Sequence, residues 1–178
     1  VTPDICTLGK IIGGGFPLAA VAGRKDIMAH FDKNKVGNEK FLMQIGTLSG
    51  NPIASAAGLK TMEILRRPGS YEKLRGIGQK IMDTASQILE EKGVKFKIVG
   101  DQTLFDILFT TGEVLNYRDV QKNNLEHYNL FNRALRENGI LKPPGKMYIS
   151  LALTDEDLDT TGFAFEKAAI QLNSHQNC

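Results

Sequence analysis

The dipeptide Pro68-Gly69 separates two segments with different residue patterns, and this break limits the folds that the chain can adopt. Proline removes a backbone N–H group and glycine favours a left-handed helix end, so a helix that precedes them stops there. Residues 53–67 are predicted to form that helix, which follows an Asn-Pro pair. We therefore expect one structural unit on each side of the break.

The first segment has the pattern of the end of a larger α/β domain. Residues 18–22 form a short apolar run between a proline and a glycine, which predicts a buried strand. Residues 24–31 are then predicted to form a short helix. Residues 32–40 are polar and include Gly37-Asn38, which predicts a loop.

The second segment shows helix and strand periods in the order αββαβα. A long helix is predicted to be capped by Ser70 and to stop at Gly93, because apolar residues recur between them at spacings of three and four. Thr154 and Asp157 form a capping-box-like start for the last helix. This order predicts a small α+β domain. Its remaining elements are strands at 94–99, 103–110 and 147–153 and a helix at 125–138.

Lys10 lies between an apolar run and three consecutive glycines, within residues 7–17. Apolar neighbours such as Leu8 and Ile11 would disfavour the charged ammonium, and a neutral amine can attack an aldehyde and hold it as a Schiff base. Glycines let the backbone approach a ligand closely. The alternative is a lysine that extends to solvent at a strand end beside a flexible turn. This segment alone leaves both interpretations open.

Residues 46–52 read Gly-Thr-Leu-Ser-Gly-Asn-Pro and lead directly into a predicted helix. Asn51 is the expected N-cap and Pro52 the first helical residue. Amide N–H groups at such a helix start, with the hydroxyls of Thr47 and Ser49 nearby, suit a phosphate. The alternative is an ordinary capped helix after a loop.

Together, the segment from Pro3-Asp4 to Pro17 and the segment 46–52 resemble pyridoxal-phosphate-dependent enzymes of fold type I. They are most similar to the class III aminotransferases, in the branch of glutamate-1-semialdehyde 2,1-aminomutase. The resemblance implies that Lys10 is the catalytic lysine that binds the cofactor, pyridoxal 5'-phosphate. It also implies that Thr47 binds the cofactor phosphate of the neighbouring subunit, in a homodimer with shared active sites.

The resemblance extends over essentially the whole chain and implies an α/β fold. We assign residues 1–67 to the C-terminal part of the large cofactor-binding domain and residues 68–178 to a small C-terminal α+β domain. The upstream part of such an enzyme supplies a phosphate cup, an aromatic ring stacked on the cofactor and an aspartate paired with its ring nitrogen. None of these has a counterpart here, so either the chain is a fragment or the rest of the site lies in a separate polypeptide, and we expect this chain alone to be inactive.

The sequence leaves the reaction open between amino transfer and the intramolecular amino shift of the aminomutase. Many class III aminotransferases carry an arginine in the region of residues 141–153 that clamps a substrate carboxylate. This chain has none there, and its only cations are Lys142 and Lys146. The expected substrates are small amino donors and acceptors.

Composition excludes several other classes. A net charge of +2 with interspersed acidic residues gives no basis for nucleic-acid binding, and no apolar run has membrane-spanning length. Cys6 and Cys178 lie at opposite ends, and the histidines at 30, 127 and 175 are scattered, so no metal site is expected. Free thiols point to a reducing compartment, and we predict a cytoplasmic protein.

Overall fold

A computed structural model describes residues 1–176, apart from the side chains of residues 175 and 176. The chain divides into two compact units, residues 1–68 and the residues from Gly69 onward. Each unit has its own sheet. No helix within the described residues is both long and apolar enough to cross a bilayer.

The first unit contains a two-stranded antiparallel sheet and three helices. Strand β1 (Ile5–Leu8) pairs with strand β2 (Ala20–Gly23) so that Ile5 lies opposite Gly23 and Leu8 lies opposite Ala20. A 3-10 segment, Ala29–Phe31, extends the first helix and completes the predicted element at 24–31. The elements are β1 (Ile5–Leu8), β2 (Ala20–Gly23), α1 (Lys25–Met28), α2 (Lys33–Val36) and α3 (Pro52–Leu65).

Two predictions for this unit are wrong. The strand predicted at 18–22 spans Ala20–Gly23 instead, and all four of its residues are exposed rather than buried. Apolar residues on both faces are typical of a strand covered on both sides, and residues 1–176 supply no such cover. The predicted loop at 32–40 contains helix α2, because the Asp32 side chain accepts the Asn34 N–H group at 3.0 Å and caps a helical turn.

The second unit packs helices against a three-stranded antiparallel sheet. Its strand order is β3 (Lys97–Asp101), β4 (Leu104–Leu108), β5 (Met147–Tyr148). Its core contains the fully buried side chains of Phe105 and Ile107 from the sheet and of Phe131 and Phe165 from two helices. The predicted element order is confirmed, with one additional short helix, α5. The elements are α4 (Ser70–Glu91), β3 (Lys97–Asp101), β4 (Leu104–Leu108), α5 (Tyr117–Val120), α6 (Leu125–Glu137), β5 (Met147–Tyr148) and α7 (Asp155–Gln176).

Most of the helix-end signals predicted for this unit are confirmed, and one is wrong. The Asp157 N–H donates to Thr154 Oγ1 at 3.3 Å while the Thr154 N–H donates to Asp157 Oδ2 at 2.7 Å, which confirms the capping box. Gly93 and Gly139 follow the ends of α4 and α6 with φ of 67° and 89°. Ser70 is not the cap of α4, because Gly69 holds that position and Ser70 is the first helical residue.

The predicted strand at 147–153 is shorter than expected. Only Met147 and Tyr148 pair with β4. The chain then turns, since the Ser150 hydroxyl accepts the Ala152 N–H group at 3.2 Å and the Ser150 carbonyl accepts the Leu153 N–H group at 3.3 Å. A turn stabilised by a serine side chain replaces the ladder over the second half of the predicted strand.

Candidate cofactor site

Lys10 opens a 3-10 turn, Lys10–Gly13, that follows β1. Its φ of 55° places it in the left-handed region, and no other non-glycine residue among those described has a positive φ. A side chain with a Cβ atom at such a φ costs about 1–3 kcal/mol, and such strain concentrates at functional sites. The backbone at Lys10 therefore points to a specific use of this residue.

The turn is closed by Gly14, which also has a left-handed backbone with φ of 57° and whose N–H donates to the Ile11 carbonyl at 3.1 Å. Gly13, inside the turn, is buried. Left-handed residues at both ends of a four-residue turn fix the direction in which it leaves β1 and enters the following chain. The glycines thus shape the turn that presents Lys10.

The expected apolar enclosure of Lys10 is not formed by the described residues. Lys10 is exposed, and its neighbours Leu8 and Ile11 are 42% and 64% exposed. Side chains that are themselves exposed to this extent do not form an apolar enclosure around Lys10. Within residues 1–176 the Lys10 side chain makes no hydrogen bond or ion pair, which leaves its amine available for a ligand.

Thr47 begins a turn immediately before α3. The turn is held by hydrogen bonds from the Ser49 N–H to the Gly46 carbonyl at 2.9 Å and from the Asn51 N–H to the Leu48 carbonyl at 3.1 Å. Thr47 is exposed, and its hydroxyl has no hydrogen-bond partner in the part of the chain that the structure describes. A hydroxyl of this kind can donate to a phosphate oxygen.

The helix start itself is not open to a phosphate, which favours the alternative of an ordinary capped helix at this position. Asn51 caps α3 as predicted, and its Oδ1 accepts the N–H groups of Ile53 at 3.0 Å and Ala54 at 3.1 Å. Pro52 has no N–H group, and the Ser55 N–H donates to the Asn51 carbonyl at 2.9 Å. All N–H positions of the first turn are thus satisfied internally, and Thr47 remains the phosphate-binding candidate of this segment.

Thr47 lines an apolar groove of about 1040 Å³ in the first unit, and Lys10 does not line it. The groove runs between the two strands and the Thr47 turn, with Leu8, Val21 and Phe31 among its walls. Among the described residues, Thr47 therefore lines this groove and Lys10 does not.

The histidines and the cysteine of the described residues have the following surroundings. The His30 ring lies 2.8 Å from the Lys40 carbonyl, and the His127 ring makes an edge contact with Phe109 at 6.1 Å between centroids. Cys6 is an exposed free thiol. The side chain of His175, and Cys178, lie outside the described residues.

Sequence reasoning missed a polar cluster in the second unit. The Tyr128 hydroxyl donates to Asp106, and the Lys142 ammonium lies 5.7 Å from the centre of the Tyr128 ring. Burial lowers the pKa of the Lys142 ammonium. Asp106 and Tyr128 are 22 residues apart in different elements, so no local spacing reveals this pair.

A scan against family models matches residues 1–168 to "Aminotransferase class-III". The chain belongs to this family. Among curated class III relatives, it is 35% identical over 164 residues to glutamate-1-semialdehyde 2,1-aminomutase 2 of Brevibacillus brevis. That alignment covers 90% of this chain and 37% of the relative, so the chain spans well under half of the relative's length.

Solved transaminase structures share the fold. An omega-transaminase from Sphaerobacter thermophilus superposes with a TM-score of 0.86 at 31% identity, over 98% of this chain and 40% of that one. A transaminase with PLP bound gives a TM-score of 0.83 at 25% identity, over 99% of this chain and 40% of that one. These similarities confirm the predicted α/β fold class, the C-terminal part of a fold type I transferase.

Proposed function

We propose that this chain carries the lysine and the phosphate-binding threonine of a pyridoxal-phosphate-dependent aminotransferase. Membership of the class III family indicates pyridoxal 5'-phosphate as the cofactor. The observation that carries the proposal is Lys10, whose backbone is held in the left-handed region and whose amine has no partner among residues 1–176. The residues present fit the cofactor, because a free amine suits its aldehyde and the Thr47 hydroxyl suits its phosphate.

Lys10 has two roles in this proposal. Its amine would hold the cofactor at its aldehyde carbon until a substrate amine takes its place. The freed Lys10 amine would then accept a proton from the substrate α-carbon as general base and return it as general acid. The cofactor, when bound, supplies the electron-withdrawing ring that makes this proton acidic.

Thr47 would donate its hydroxyl proton to the cofactor phosphate. Because the family resemblance implies a threonine that reaches across from the neighbouring subunit, and Lys10 is not among the residues that line the Thr47 groove, we place them at a site made by two copies, with Thr47 serving the cofactor held by Lys10 of the other copy. The smallest active assembly is then a two-fold homodimer. We assign residues 1–67 to the large cofactor-binding domain and 68–178 to the small domain of this enzyme.

The first unit supports the further proposal that this chain alone is inactive. Its buried residues are Gly13, Ala54 and Gly58, which bring almost no apolar side chain into a core. Larger apolar side chains of its strands and loops, such as Ile5, Val21 and Leu48, are about half exposed. Burying apolar surface is favourable by about 25 cal/mol per Å². Exposed apolar residues of this kind therefore indicate that further polypeptide packs against them. We propose that this cover completes the site in a cytoplasmic enzyme.

The aminomutase is a second candidate function, which the 35% identity to an aminomutase of Brevibacillus brevis favours. It uses the same lysine but keeps both amino positions on one carbon skeleton. Supplying glutamate-1-semialdehyde to the enzyme loaded with the amino form of the cofactor separates the two. Accumulation of 5-aminolevulinate supports the mutase, and transfer of the amino group to an added keto acid supports the transaminase.

The proposal is tested by locating the covalent attachment. The protein produced from its complete coding sequence is incubated with pyridoxal 5'-phosphate, reduced with borohydride and digested, and the modified lysine is identified by mass spectrometry. We expect the label on Lys10, its absence in Lys10→Ala, and its retention in the control Lys33→Ala, an exposed lysine of the same unit. A main label on any other lysine contradicts the proposal.

A further inference from the structure

We propose that Gly58 is a positioning residue for Lys10. Because Gly58 has no side chain, helix α3 can pack closely against the Lys10–Gly13 turn and keep the Lys10 backbone in the left-handed region. This inference rests on the proposed role of Lys10 and adds a residue that does not itself touch the cofactor. Gly58 lies in the middle of α3 and is buried. A glycine inside a helix costs about 1 kcal/mol relative to alanine, so its presence there calls for a packing reason.

The packing reason is a close approach of the turn to the helix. A Cβ atom on Gly58 would lie 2.8 Å from the Ile12 carbonyl oxygen and 2.4 Å from Leu18 Cδ2. The end of a leucine side chain can rotate away from such a contact. The Ile12 carbonyl cannot, because it belongs to the backbone of the turn that begins at Lys10. To reach an ordinary contact of 3.4 Å, this carbonyl must retreat by about 0.6 Å.

The turn has no free space on the side of its closing residue either. A Cβ atom on Gly14 would lie 2.6 Å from Thr61 Oγ1 and 3.2 Å from the Ala57 carbonyl oxygen. Thr61 Oγ1 is itself fixed, since it donates to that carbonyl at 2.9 Å. Helix α3 therefore approaches the Lys10–Gly13 segment at two successive helical turns, one at Ala57-Gly58 and one at Thr61. At both places it meets backbone atoms, which cannot rotate away as a side chain can.

This contact explains how the unfavourable backbone of Lys10 is maintained. A non-glycine residue keeps a left-handed φ only where its surroundings leave no alternative. If a side chain at residue 58 displaces the turn from α3, this constraint is relaxed and Lys10 can return to an ordinary negative φ. The direction of its amine then changes. A displacement near 1 Å in a reacting group reduces rates by roughly tenfold to a hundredfold. We therefore expect a side chain at residue 58 to impair the reaction of Lys10 with the cofactor.

Helical glycines elsewhere in the chain give matched controls. Gly76, in α4, has open space where a Cβ would stand, so Gly76→Ala gains helix propensity without a clash. Gly78, in the same helix, would place a Cβ 1.7 Å from the Gln102 carbonyl oxygen, so Gly78→Ala strains the second unit without touching the Lys10 turn. Gly58→Ala shares the propensity gain of the first control and the backbone clash of the second.

The experiment uses the protein produced from its complete coding sequence. The apo form is mixed with pyridoxal 5'-phosphate and cyanoborohydride, and the rate at which Lys10 becomes labelled is measured by peptide mass spectrometry. The absorbance band of the bound cofactor is titrated with pH in parallel. We expect Gly58→Ala to label Lys10 roughly tenfold to a hundredfold more slowly and to shift that titration. Gly76→Ala should match the wild type, and Gly78→Ala should lower the melting temperature without shifting the titration.

A second variant keeps the test decisive if Gly58→Ala folds poorly. Leu18→Ala removes the Cδ2 atom that a Cβ at residue 58 would meet, so Leu18→Ala/Gly58→Ala retains only the clash with the Ile12 carbonyl. The double variant should label Lys10 at least tenfold more slowly than Leu18→Ala alone. Equal rates and equal titrations in this pair, with wild-type Lys10 labelled normally, overturn the role of Gly58. Failure of the wild type to label at Lys10 overturns the proposed function instead.

Discussion

The hydroxyl of Tyr128 lies 2.9 Å from Oδ2 of the half-buried Asp106 carboxylate, and the Pro144 carbonyl is a second partner of the same hydroxyl. One O–H group cannot donate fully to both acceptors. If Asp106 is protonated, it donates to the Tyr128 oxygen, and the Tyr128 proton is then free for Pro144. Burial raises the pKa of the Asp106 carboxyl, although Tyr128 and Lys142 oppose this, and burial also raises the pKa of Tyr128.

The raised pKa of Asp106 predicts a stability that falls as pH rises. Native protein then holds this proton to a higher pH than unfolded protein does. The contribution is therefore fully present below the ordinary carboxyl pKa of 3.8 and is lost as pH rises through the native value. Asp106→Asn should remove this dependence, so its stability relative to wild type should improve as pH rises above that ordinary value. Urea unfolding at a series of pH values measures it.

Asp101 provides a control of opposite sign for this measurement. It is exposed, and hydrogen bonds from the backbone and side chain of Thr103 lower the pKa of its carboxyl. Asp101→Asn should therefore lose stability relative to wild type as pH rises through the acid range. Parallel pH profiles for Asp106→Asn and wild type would show that the Asp106 pKa is not raised.

Phe131 is predicted to be a main stabilising residue of the second unit. It is 1% exposed, stacks on Phe165 with 5.9 Å between ring centroids and meets the edge of Phe109 at 5.2 Å. Phe131→Ala should lower the free energy of unfolding by about 3–5 kcal/mol, because it removes buried apolar surface and leaves a cavity. Urea titration followed by far-ultraviolet circular dichroism measures this loss.

The same substitution at Phe163 serves as the control. Its ring is 51% exposed, and the Lys167 ammonium lies 4.9 Å from its centre. Phe163→Ala should cost about 1 kcal/mol or less, since an exposed cation–π contact contributes little. Similar losses for both variants would contradict the assigned core.

The structure shows which features a sequence can reveal. The caps at Asn51 and at Thr154 with Asp157 were predictable, because their hydrogen bonds span two or three residues. The long helices were predictable because one face of each repeats an apolar pattern that packs into the core. Both kinds of signal are contained in a few consecutive residues.

Features that depend on distant partners were not predictable. Exposure of Lys10 depends on which elements cover its turn, and Leu8 and Ile11 beside it in sequence do not enclose it. Gly58 approaches Ile12 across 46 positions of sequence, although a glycine inside a predicted helix was a signal that could have been followed. The first unit has few buried residues, so its local patterns indicated the strand at 18–22 without indicating what covers it.

Asn51 is predicted to hold the first turn of α3. Removing its side chain leaves the N–H groups of Ile53 and Ala54 without their acceptor, at a cost of about 0.5–2 kcal/mol. Asn51→Ala should therefore speed hydrogen exchange at these two amides. The control Asn38→Ala replaces an exposed residue that caps no helix and should leave their exchange unchanged. Unchanged protection in Asn51→Ala would mean that the cap does not stabilise this turn.

Thr47 is predicted to bind the cofactor phosphate through its hydroxyl. Thr47→Ala removes one hydrogen bond to a charged group, about 1.5–3 kcal/mol, and should raise the dissociation constant of pyridoxal 5'-phosphate by roughly tenfold to a hundredfold. Thr47→Ser keeps a hydroxyl and should stay close to wild type. Equilibrium dialysis against the cofactor measures both variants. Equal affinity in all three proteins would assign Thr47 to the helix entry alone.

Subunit mixing tests whether Lys10 and Thr47 serve one site from two copies. Purified Lys10→Ala and Thr47→Ala proteins are exchanged and the mixed dimer is isolated by two affinity tags. If each site takes its lysine from one copy and its threonine from the other, the mixed dimer has one site with both lesions and one with neither. Half of its sites should then bind cofactor with wild-type affinity. If both residues act within one copy, each site carries one lesion, and no wild-type site should appear after verified exchange.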